Sequence, residues 1–432
     1  MGVNYCKFIF GERRIAMKKW LKPFAVGMVA LASLCLTGCK QKEAASNQKV
    51  TIEFFNQKRE MQPTLKKIIK KFEKEHPNIR VKETDVPSAG DVLKVRMLSG
   101  DAPDVINIYP QNLDYQTWAK AGYFVDMTHK SYIKNIVNNY AEKFAINGKI
   151  YNAPLSANLY GFFYNATEFK KLGLKIPKTW AEMKALVKEI KAKGKTPFAL
   201  AGTEPWTLNG YHNLALATVT GGFNQAENLV RYSPVNSISL KNKYIQSDIK
   251  RLDLLRGTAQ KNWQGASYND AVTAFTSGKA LIMPQGSWAL PVITSQNPKF
   301  KVRTFAFPGN KVGQEMTVGS GDMALSISSR SKHKKAADEF LKFMCSPEAM
   351  QIYYDKDGSP CTIKGVKQKG KNSELGGLSQ YAFTKKHMVW LGQKWTTEND
   401  FFNLTGNYLL TGDKKQLISD FNTTFNPMKA TN

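Results

Sequence analysis

The chain is poor in residues that bind transition metals or form disulfides. It has five cysteines and five histidines in 432 residues, and it contains no CxxC pair. The histidines are scattered, whereas a zinc site usually needs several Cys and His ligands at short, regular spacings. The sequence therefore predicts no metal site. Beyond residue 39 only Cys345 and Cys361 remain as thiols, and a bridge between them stays open.

Two other deficits exclude further classes of function. No complete phosphate loop occurs, because the chain has neither GxGxxG nor GxxxxGK followed by Ser or Thr. Acidic residues are few, 34 against 62 lysines and arginines, which gives a formal charge of +28. The lysines are spread along predicted helices, as in residues 66–74, and form no arginine-rich patch interleaved with aromatics. We therefore expect a solvated basic surface and no nucleic-acid partner.

The most apolar segment is too short to span a membrane. It covers residues 24–36, a run of 13, whereas a membrane-spanning helix needs about 20 apolar residues. Lys18, Lys19 and Lys22 precede it, so the segment has the basic start and the short apolar centre of a secretory signal. We expect residues 1–38 to be a signal peptide, whose start is Met1 or Met17.

This apolar segment ends at residues 36–39 (LTGC), which have the pattern of a lipobox. Cleavage before Cys39 would let this cysteine carry a diacylglyceryl anchor, and the polar residues 39–49 would be a lipidated tether. We expect the protein at the outer face of the cytoplasmic membrane of a Gram-positive cell, with membrane contact through the anchor only. An ordinary signal peptide with an incidental cysteine is the alternative.

The part of the chain after residue 38 has a globular composition. Its 394 residues are enough for two or three domains with a sizeable core. Six basic residues and one acidic residue precede Cys39, so this part carries a formal charge of +23. The chain has eight tryptophans and 17 tyrosines, enough to line a binding cleft as well as a core.

Strand-like and helix-like segments alternate after the tether. The first of them predict a βαβαβ order, which implies a parallel sheet. Ligands of such sheets bind beyond the carboxyl ends of the strands, where Asn56-Gln57 and Tyr109-Pro110 are expected. The predicted strands are 50–55, 79–86, 105–108, 280–283 and 323–328, and the predicted helices are around 65–75, 91–99, 180–193, 270–277 and 336–344.

Five stretches of the sequence, in order, resemble the extracellular solute-binding proteins of ABC sugar importers, in particular the maltodextrin-binding-like group. The opening residues 54–60 (FFNQKRE) also resemble raffinose and multiple-sugar binders of Gram-positive bacteria. The five stretches are 98–105 (LSGDAPDV), 148–154 (GKIYNAP) with 164–165 (YN), 177–180 (PKTW), 275–288 (FTSGKALIMPQGSW) and 336–348 (AADEFLKFMCSPE).

The resemblance implies an α/β fold with two lobes, the type II periplasmic-binding-protein-like fold. Each lobe would have a mainly parallel sheet flanked by helices, and hinge motion would close the lobes on a ligand in the cleft between them. Lobe one would cover residues 50–154 and 320–362, and lobe two residues 158–318 and 366–432.

A sugar site needs flat aromatic faces for the C–H side of a pyranose and planar polar side chains for its hydroxyls. By resemblance, Trp206 and Trp288 are stacking aromatics, with burial in the core as the alternative. Asn158 stands where maltodextrin binders have an acidic ligand, which argues against maltodextrin itself. The other predicted sugar-binding residues are Asn56, Gln57, Arg59, Tyr109, Glu204, Asp322 and Trp390, with Trp395, Phe401 and Phe402 as further candidates from the same late region.

We therefore expect a monomeric binding protein, without catalytic residues or a cofactor. It would capture an oligosaccharide outside the cell and deliver it to the permease subunits of an ABC transporter. Two alternatives stay open. A peptide could occupy the same fold, because aromatics also bind peptides. An exported glycoside hydrolase would need two carboxylates about 5–9.5 Å apart, for which Glu204 and Asp322 are the candidates.

Overall fold

The computed structural model describes residues 49–389, 395 and 399–429. The predicted lipid-bearing Cys39 and the predicted sugar contact Trp390 lie outside these residues. Residues Gln48–Asn432 form one compact unit. Within the described part of the chain, no helix combines the length and the apolar character needed to cross a bilayer.

The strands of the described residues belong to two sheets. In chain order they are β1 (Val50–Asn56), β2 (Ile79–Asp85), β3 (Val105–Asn107), β4 (Ala153–Pro154), β5 (Tyr160–Asn165), β6 (Thr196–Phe198), β7 (Ala280–Gly286), β8 (Val302–Phe305), β9 (Thr317–Gly319), β10 (Ala324–Ile327) and β11 (His387–Val389).

Helices connect these strands and cover the sheets. In chain order they are α1 (Gln62–Glu75), α2 (Ala89–Ser99), α3 (Leu113–Lys120), α4 (Ala166–Leu172), α5 (Trp180–Ala192), α6 (Asn209–Thr220), α7 (Phe223–Val230), α8 (Lys243–Arg256), α9 (Tyr268–Thr276), α10 (Leu290–Ser295), α11 (Lys334–Met344), α12 (Pro347–Asp357), α13 (Gly376–Ser379), α14 (Asn399–Thr411) and α15 (Lys414–Lys429).

The first sheet has the strand order β2-β1-β3-β10-β4. β1 runs parallel to β2 in a register that pairs Val50 with Ile79 and Asn56 with Asp85, and it also runs parallel to β3. The carboxyl ends of β1, β2 and β3 therefore meet at one edge of the sheet, as the βαβαβ pattern predicted. The second sheet has the order β11-β9-β5-β7-β6, and β8 also pairs with β5.

Both sheets are mixed, not mainly parallel as the resemblance implied. β10 is antiparallel to β3 and β4, and β5 is antiparallel to β7, β8 and β9. The crossing between the sheets accounts for the antiparallel pairing of β4 with β10 and of β5 with β9. The chain leaves the first sheet through residues 155–159 and returns through 320–323, and these two segments pair in opposite directions, as in the hydrogen bond from the Asp322 amide to the Ser156 carbonyl. The two-sheet α/β class itself is confirmed.

Each sheet has its own apolar core. Helix α1 begins with a proline in its first turn, which fits a helix start, and it buries Leu65, Ile68 and Phe72 at helical spacing against the first sheet. Helices α11 and α12 complete this core, which also contains Cys345 and Cys361. Both cysteines are buried free thiols, so the disulfide that the sequence left open is not formed. Helices α5, α6, α8, α14 and α15 cover the second sheet.

Gly319 allows the two crossing segments to pack closely. A Cβ atom at this position would lie 1.9 Å from the carbonyl oxygen of Asn158. Because the clash is with backbone, we expect Gly319→Ala to lower the free energy of unfolding by about 1–3 kcal/mol in urea denaturation. Gly265→Ala is the matched control, since nothing lies within 4 Å of its Cβ position. Equal stability of the two variants would contradict this expectation.

Candidate functional site

A cleft of about 830 Å³ is lined by elements of both sheets. Its volume is within the range of small-molecule sites, about 300–1,000 Å³. Residues from the elements of the first sheet are Gln57, Lys58, Arg59, Glu60, Gln62, Asp85, Tyr109, Gln111 and Asn112. Those from the elements of the second sheet are Trp206, Asn209, Tyr268, Asn269, Trp288, Val292 and Phe402, and Asn158 and Asp322 come from the crossing segments.

The carboxyl ends of the strands in the first sheet provide one side of the cleft. Gln57, directly after β1, donates from Nε2 to the carbonyl of Asn107 at the end of β3, at 2.7 Å. Arg59 forms an ion pair with Asp85 at the end of β2, with 3.3 Å between Nε and Oδ1. Tyr109, two residues after β3, also lines the cleft. The structure thus brings Gln57, Arg59 and Tyr109 together, as predicted from their positions after the strands.

Lys58 is a buried cation at the base of this side. Its Nζ lies 2.6 Å from Oδ2 of Asp322 and 3.1 Å from Oε1 of Glu60. Burial disfavours its charged form, but the negative charges of Asp322 and Glu60 outweigh this and raise the pKa of the ammonium group above its usual range. Asp322, predicted as a sugar ligand or loop cap, therefore has Lys58 as a charged partner inside the protein.

Asn56 does not line the cleft, in contrast to its prediction as a sugar-binding residue. Its side chain is fully buried. It donates to the carbonyl of Lys58 at 3.2 Å and to Oε1 of Glu83 at 3.0 Å, and it accepts from the Lys58 amide at 2.8 Å. Both ends of the amide are thus used within the protein. The physical reason is the pleat of β1, which places Asn56 on the same buried face of the sheet as Ile52 and Phe54.

Glu83, the partner of Asn56, should make stability depend on pH. Burial raises the pKa of its carboxyl group from 4.5 to about 7, although the hydrogen bond from Asn56 opposes this. The folded state therefore binds the proton more tightly than the unfolded chain. This contribution to stability is fully present below pH 4.5 and is lost as the pH rises through about 7.

We expect Glu83→Gln, which keeps an oxygen for Asn56, to raise Tm relative to the unmodified protein more at pH 8 than at pH 5. Glutamine carries no charge that burial could penalise at either pH. Thermal unfolding at the two pH values measures this difference. Glu142→Gln, at an exposed position, is the control. A change in Tm that is the same at both pH values would argue against the shifted carboxyl group.

The opposite side of the cleft is aromatic. Trp206, Tyr268 and Trp288, which we call the aromatic wall, have ring centroids 5.4 Å apart for Trp206 and Tyr268 and 6.5 Å apart for Trp206 and Trp288. Trp206 is 38% exposed, so it is not a core residue. Nε1 of Trp288 and the hydroxyl of Tyr268 are buried and have no hydrogen-bond partner among the described residues. These two groups can therefore bond to a ligand.

Asn158 lies between the two sides, on the first crossing segment. Its Oδ1 accepts from the amide of Ser320 at 2.9 Å, which fixes the orientation of the side chain. Gln111, after β3, has a buried Oε1 atom without a hydrogen-bond partner in the described part of the chain. Asparagine and glutamine supply both donors and acceptors. Together they provide neutral polar groups beside the aromatic wall.

Glu204 lies outside the cleft lining and contacts two members of the aromatic wall. Its Oε2 accepts from Nε1 of Trp206 at 2.9 Å, and its Oε1 accepts from the backbone amide of Tyr268 at 2.7 Å. The structure therefore places Glu204 behind the aromatic side chains. Its carboxylate and that of Asp322 are both occupied by groups of the protein itself.

Only one of the late aromatic candidates in the described residues faces the cleft. Phe402 lines it, whereas Trp395 and Phe401 are buried in the core of the second sheet. In that core Trp395 donates to Oε1 of Glu227 at 2.9 Å. Helix periodicity explains the difference, because adjacent residues of α14 point about 100° apart.

Sequence reasoning missed several residues of the cleft, of which Lys58 and Tyr268 are the most informative. Lys58 lies in residues 54–60 (FFNQKRE), between the predicted site residues Gln57 and Arg59, and this position could have indicated that it belongs to the site. Tyr268 gave no local signal, because its position depends on how α9 packs. The other missed lining residues are Glu60, Gln62, Asp85, Gln111, Asn112, Asn209, Asn269 and Val292.

The chemistry of the cleft suits a neutral ligand. Its two cationic side chains, Lys58 and Arg59, are each paired with carboxylates of the protein. Within the ranges that the structure describes, no cluster of three or more His, Cys, Asp or Glu could hold a metal ion. Aromatic faces opposite amides and paired charges are the groups that a hydroxyl-rich, uncharged molecule requires.

Comparison with known proteins gives a consistent result. Residues 57–351 match the model of the bacterial extracellular solute-binding protein family. A multiple sugar-binding protein of Streptococcus mutans is 57% identical over 417 residues, which are 95% of this chain and 99% of that protein. A maltooligosaccharide ABC transporter solute-binding lipoprotein of Streptococcus pneumoniae is 25% identical over 386 residues, which are 83% of this chain and 85% of that protein.

Solved structures show the same similarity. The solute-binding protein RafE in complex with raffinose aligns with a TM-score of 0.86 and 55% identity, over 88% of this chain and 100% of that one. The apo-form of RafE from Streptococcus pneumoniae aligns with a TM-score of 0.80 and 54% identity, over 88% of this chain and 98% of that one.

Proposed function

The chain belongs to the bacterial extracellular solute-binding protein family, and from this membership we propose that it captures a neutral oligosaccharide of the raffinose class and delivers it to an ABC importer. The observation that carries the ligand class is the aromatic wall opposite polar side chains whose charges are already paired. The relatives named for multiple sugars and for raffinose support the same class.

Each side of the cleft has a separate task in this proposal. The rings of Trp206, Tyr268 and Trp288 cover the apolar faces of the sugar, and Trp288 Nε1 and the Tyr268 hydroxyl bond to its oxygens. Gln57, Gln111 and Asn158 exchange hydrogen bonds with the hydroxyls. Arg59 and Tyr109, on the first side, complete the set.

The closing of the two lobes follows from this division of sugar contacts between the two sides of the cleft. A sugar that lies between the elements of the two sheets contacts both only when the lobes approach, so it stabilises the closed state by its differential affinity. A ligand that contacted one side alone would not shift the equilibrium. We propose residues 50–154 with 320–362 and residues 158–318 with 366–432 as the two lobes, and the closed pair as the surface that the permease recognises.

The location and the state of the protein are part of the proposal. The extracellular family and the lipoprotein relative support a lipid on Cys39 that holds the protein at the outer face of the cytoplasmic membrane. We further propose that the protein acts as a monomer and performs no catalysis. The carboxylates of Glu204 and Asp322, the candidates for a hydrolase, bond to groups of the protein and not to one another.

Isothermal titration calorimetry of residues 40–432 tests the proposal. The panel is raffinose, isomaltotriose, maltotriose, a fructo-oligosaccharide, an arabinoxylo-oligosaccharide and a short peptide. We expect one of the sugars, raffinose first, to bind without turnover. Binding of the peptide alone would overturn the sugar assignment and leave the fold standing. Release of reducing sugar on incubation would favour a hydrolase.

A further inference from the structure

We propose that Glu204 is a positioning residue that fixes Trp206 and Tyr268 in their binding orientation, and that it does not bind the sugar itself. The inference rests on the proposed function, because it assigns a role within the same site. Glu204 was predicted as a sugar ligand because its carboxylate could accept hydrogen bonds from hydroxyls, but it lies outside the cleft lining.

Both oxygens of the Glu204 carboxylate accept hydrogen bonds from the aromatic wall. Oε2 accepts the indole N–H of Trp206 at 2.9 Å, and Oε1 accepts the backbone N–H of Tyr268 at 2.7 Å. Hydrogen bonds to an ionised acceptor are stronger than those between neutral groups. One side chain thus holds two aromatic residues that are 62 positions apart in the sequence.

Residues 202–204 and residues 263–268, the segments beside Trp206 and Tyr268, lie close together. Thr203 donates from its amide to the carbonyl of Ala266 at 3.2 Å and from its hydroxyl at 3.0 Å. The amide of Gly202 donates to the carbonyl of Trp263 at 3.0 Å, and a Cβ on Gly202 would lie 2.5 Å from the Gln264 carbonyl. Residues 202–204 are therefore held against residues 263–268, and Glu204 extends this contact to the rings.

Helix α9 has its own capping box and does not depend on Glu204 for its start. Ser267 and Asp270 form a capping box, in which each side chain bonds to the backbone amide of the other. Tyr268 is the first residue of the helix, and its amide is one of the donors left free at a helix start. The bond from this amide to Glu204 therefore orients Tyr268 relative to Trp206.

Removal of this link should cost affinity through preorganisation. Trp206 is 38% exposed, so part of its ring has no protein contact that would restrict its rotamers. A ring that is free to rotate must be ordered when the sugar binds, which weakens binding even though no sugar contact is lost. The same change should alter the near-ultraviolet circular dichroism of the free protein, because the Trp206 ring loses its fixed environment.

The test uses residues 40–432, since residues Gln48–Asn432 are one compact unit. Raffinose affinity is measured by calorimetry for Glu204→Ala, Glu204→Gln and the control Asp270→Asn. Asp270 caps the same helix but lines a different surface pocket. We expect Glu204→Ala to weaken binding about tenfold, with partial recovery in Glu204→Gln, which keeps one acceptor oxygen. Asp270→Asn should lower Tm and leave the affinity unchanged.

A double-mutant cycle with Trp206→Phe separates positioning from direct contact. Phenylalanine keeps a stacking ring but removes the indole N–H that Glu204 accepts. If Glu204 acts through Trp206, the loss caused by Glu204→Gln shrinks in the Trp206→Phe background. Additive losses would overturn the positioning of Trp206, and near-ultraviolet spectra that do not change in Glu204→Ala would overturn the positioning role as a whole.

The outcomes for the two proposals are distinct. If the unmodified protein binds no sugar of the panel, the proposed function is wrong, and the role of Glu204, which rests on it, is wrong with it. An unmodified protein that binds raffinose, with Glu204→Ala at the same affinity, removes only the role of Glu204.

Discussion

Replacing Trp288 with alanine is expected to weaken raffinose binding at least tenfold, about 1.4 kcal/mol, in a protein that remains folded. Trp288 is only partly buried, its ring lies 6.1 Å from Tyr160 and 6.5 Å from Trp206, and its Nε1 has no partner among the described residues. Alanine removes both the ring that covers the sugar and the donor. Calorimetric titration of the purified variant gives the affinity.

Tyr232→Ala is the control for this measurement. Tyr232 is 49% exposed and does not line the cleft, so its removal also deletes an exposed aromatic ring but should leave the affinity as it is. A Trp288→Ala protein that binds raffinose as tightly as the unmodified chain would rule out stacking on this residue. Stacking of the sugar would then depend on Trp206 and Tyr268 alone.

Replacing Lys58 with alanine is expected to lower the free energy of unfolding by about 3–5 kcal/mol, because it leaves a buried carboxylate without its partner. The side chains of Lys58 and Asp322 are 1% and 3% exposed, and Nζ and Oδ2 lie 2.6 Å apart. The pair links the end of β1 to the second crossing segment. Equilibrium unfolding in urea measures the loss.

Arg59→Ala provides a matched control one residue away. Arg59 also pairs with a carboxylate, that of Asp85, but the Arg59 side chain is 61% exposed while that of Asp85 is 8% exposed, so water screens one member of this pair. We therefore expect Arg59→Ala to lower the stability less than Lys58→Ala does. Lys58→Met combined with Asp322→Leu should recover part of the loss, since both members of the buried pair are removed while Glu60, which is 23% exposed, still loses its partner. Similar stability of Lys58→Ala and Arg59→Ala would refute the account of the buried pair.

Much of the first sheet could be predicted because its signals are local. The apolar stretches of β1, β2 and β3 and the helical spacing in α1 alternate in a way that only a parallel arrangement accommodates. The positions directly after these strands then gave Gln57, Arg59 and Tyr109 as neighbours. Asn56 was predicted with them, but the pleat of β1 turns it away from the cleft. A rule based on sequence position cannot resolve a difference of one residue, because adjacent side chains of a strand point to opposite faces.

The other side of the cleft depends on contacts between distant segments. The tryptophans could be singled out by their resemblance to stacking aromatics, but neither their spacing nor the part played by Tyr268 and Glu204 could be derived. These residues meet because residues 202–204 pack against residues 263–268. The antiparallel pairing of β4 with β10 and of β5 with β9 also depends on distant segments, since it arises where the crossing segments run side by side.

The sequence by itself determined the α/β class, the family and the type of residue that the site contains, since each of these depends on local pattern and composition. The tertiary structure alone decided which of those residues face the ligand. It pairs Lys58 with Asp322, it removes Asn56 and Phe401 from the cleft, and it places Glu204 behind the aromatic wall. The reason is physical. Burial, charge pairing and ring orientation are set by atoms that are close in space but tens to hundreds of residues apart along the chain, and a local pattern carries no information about them.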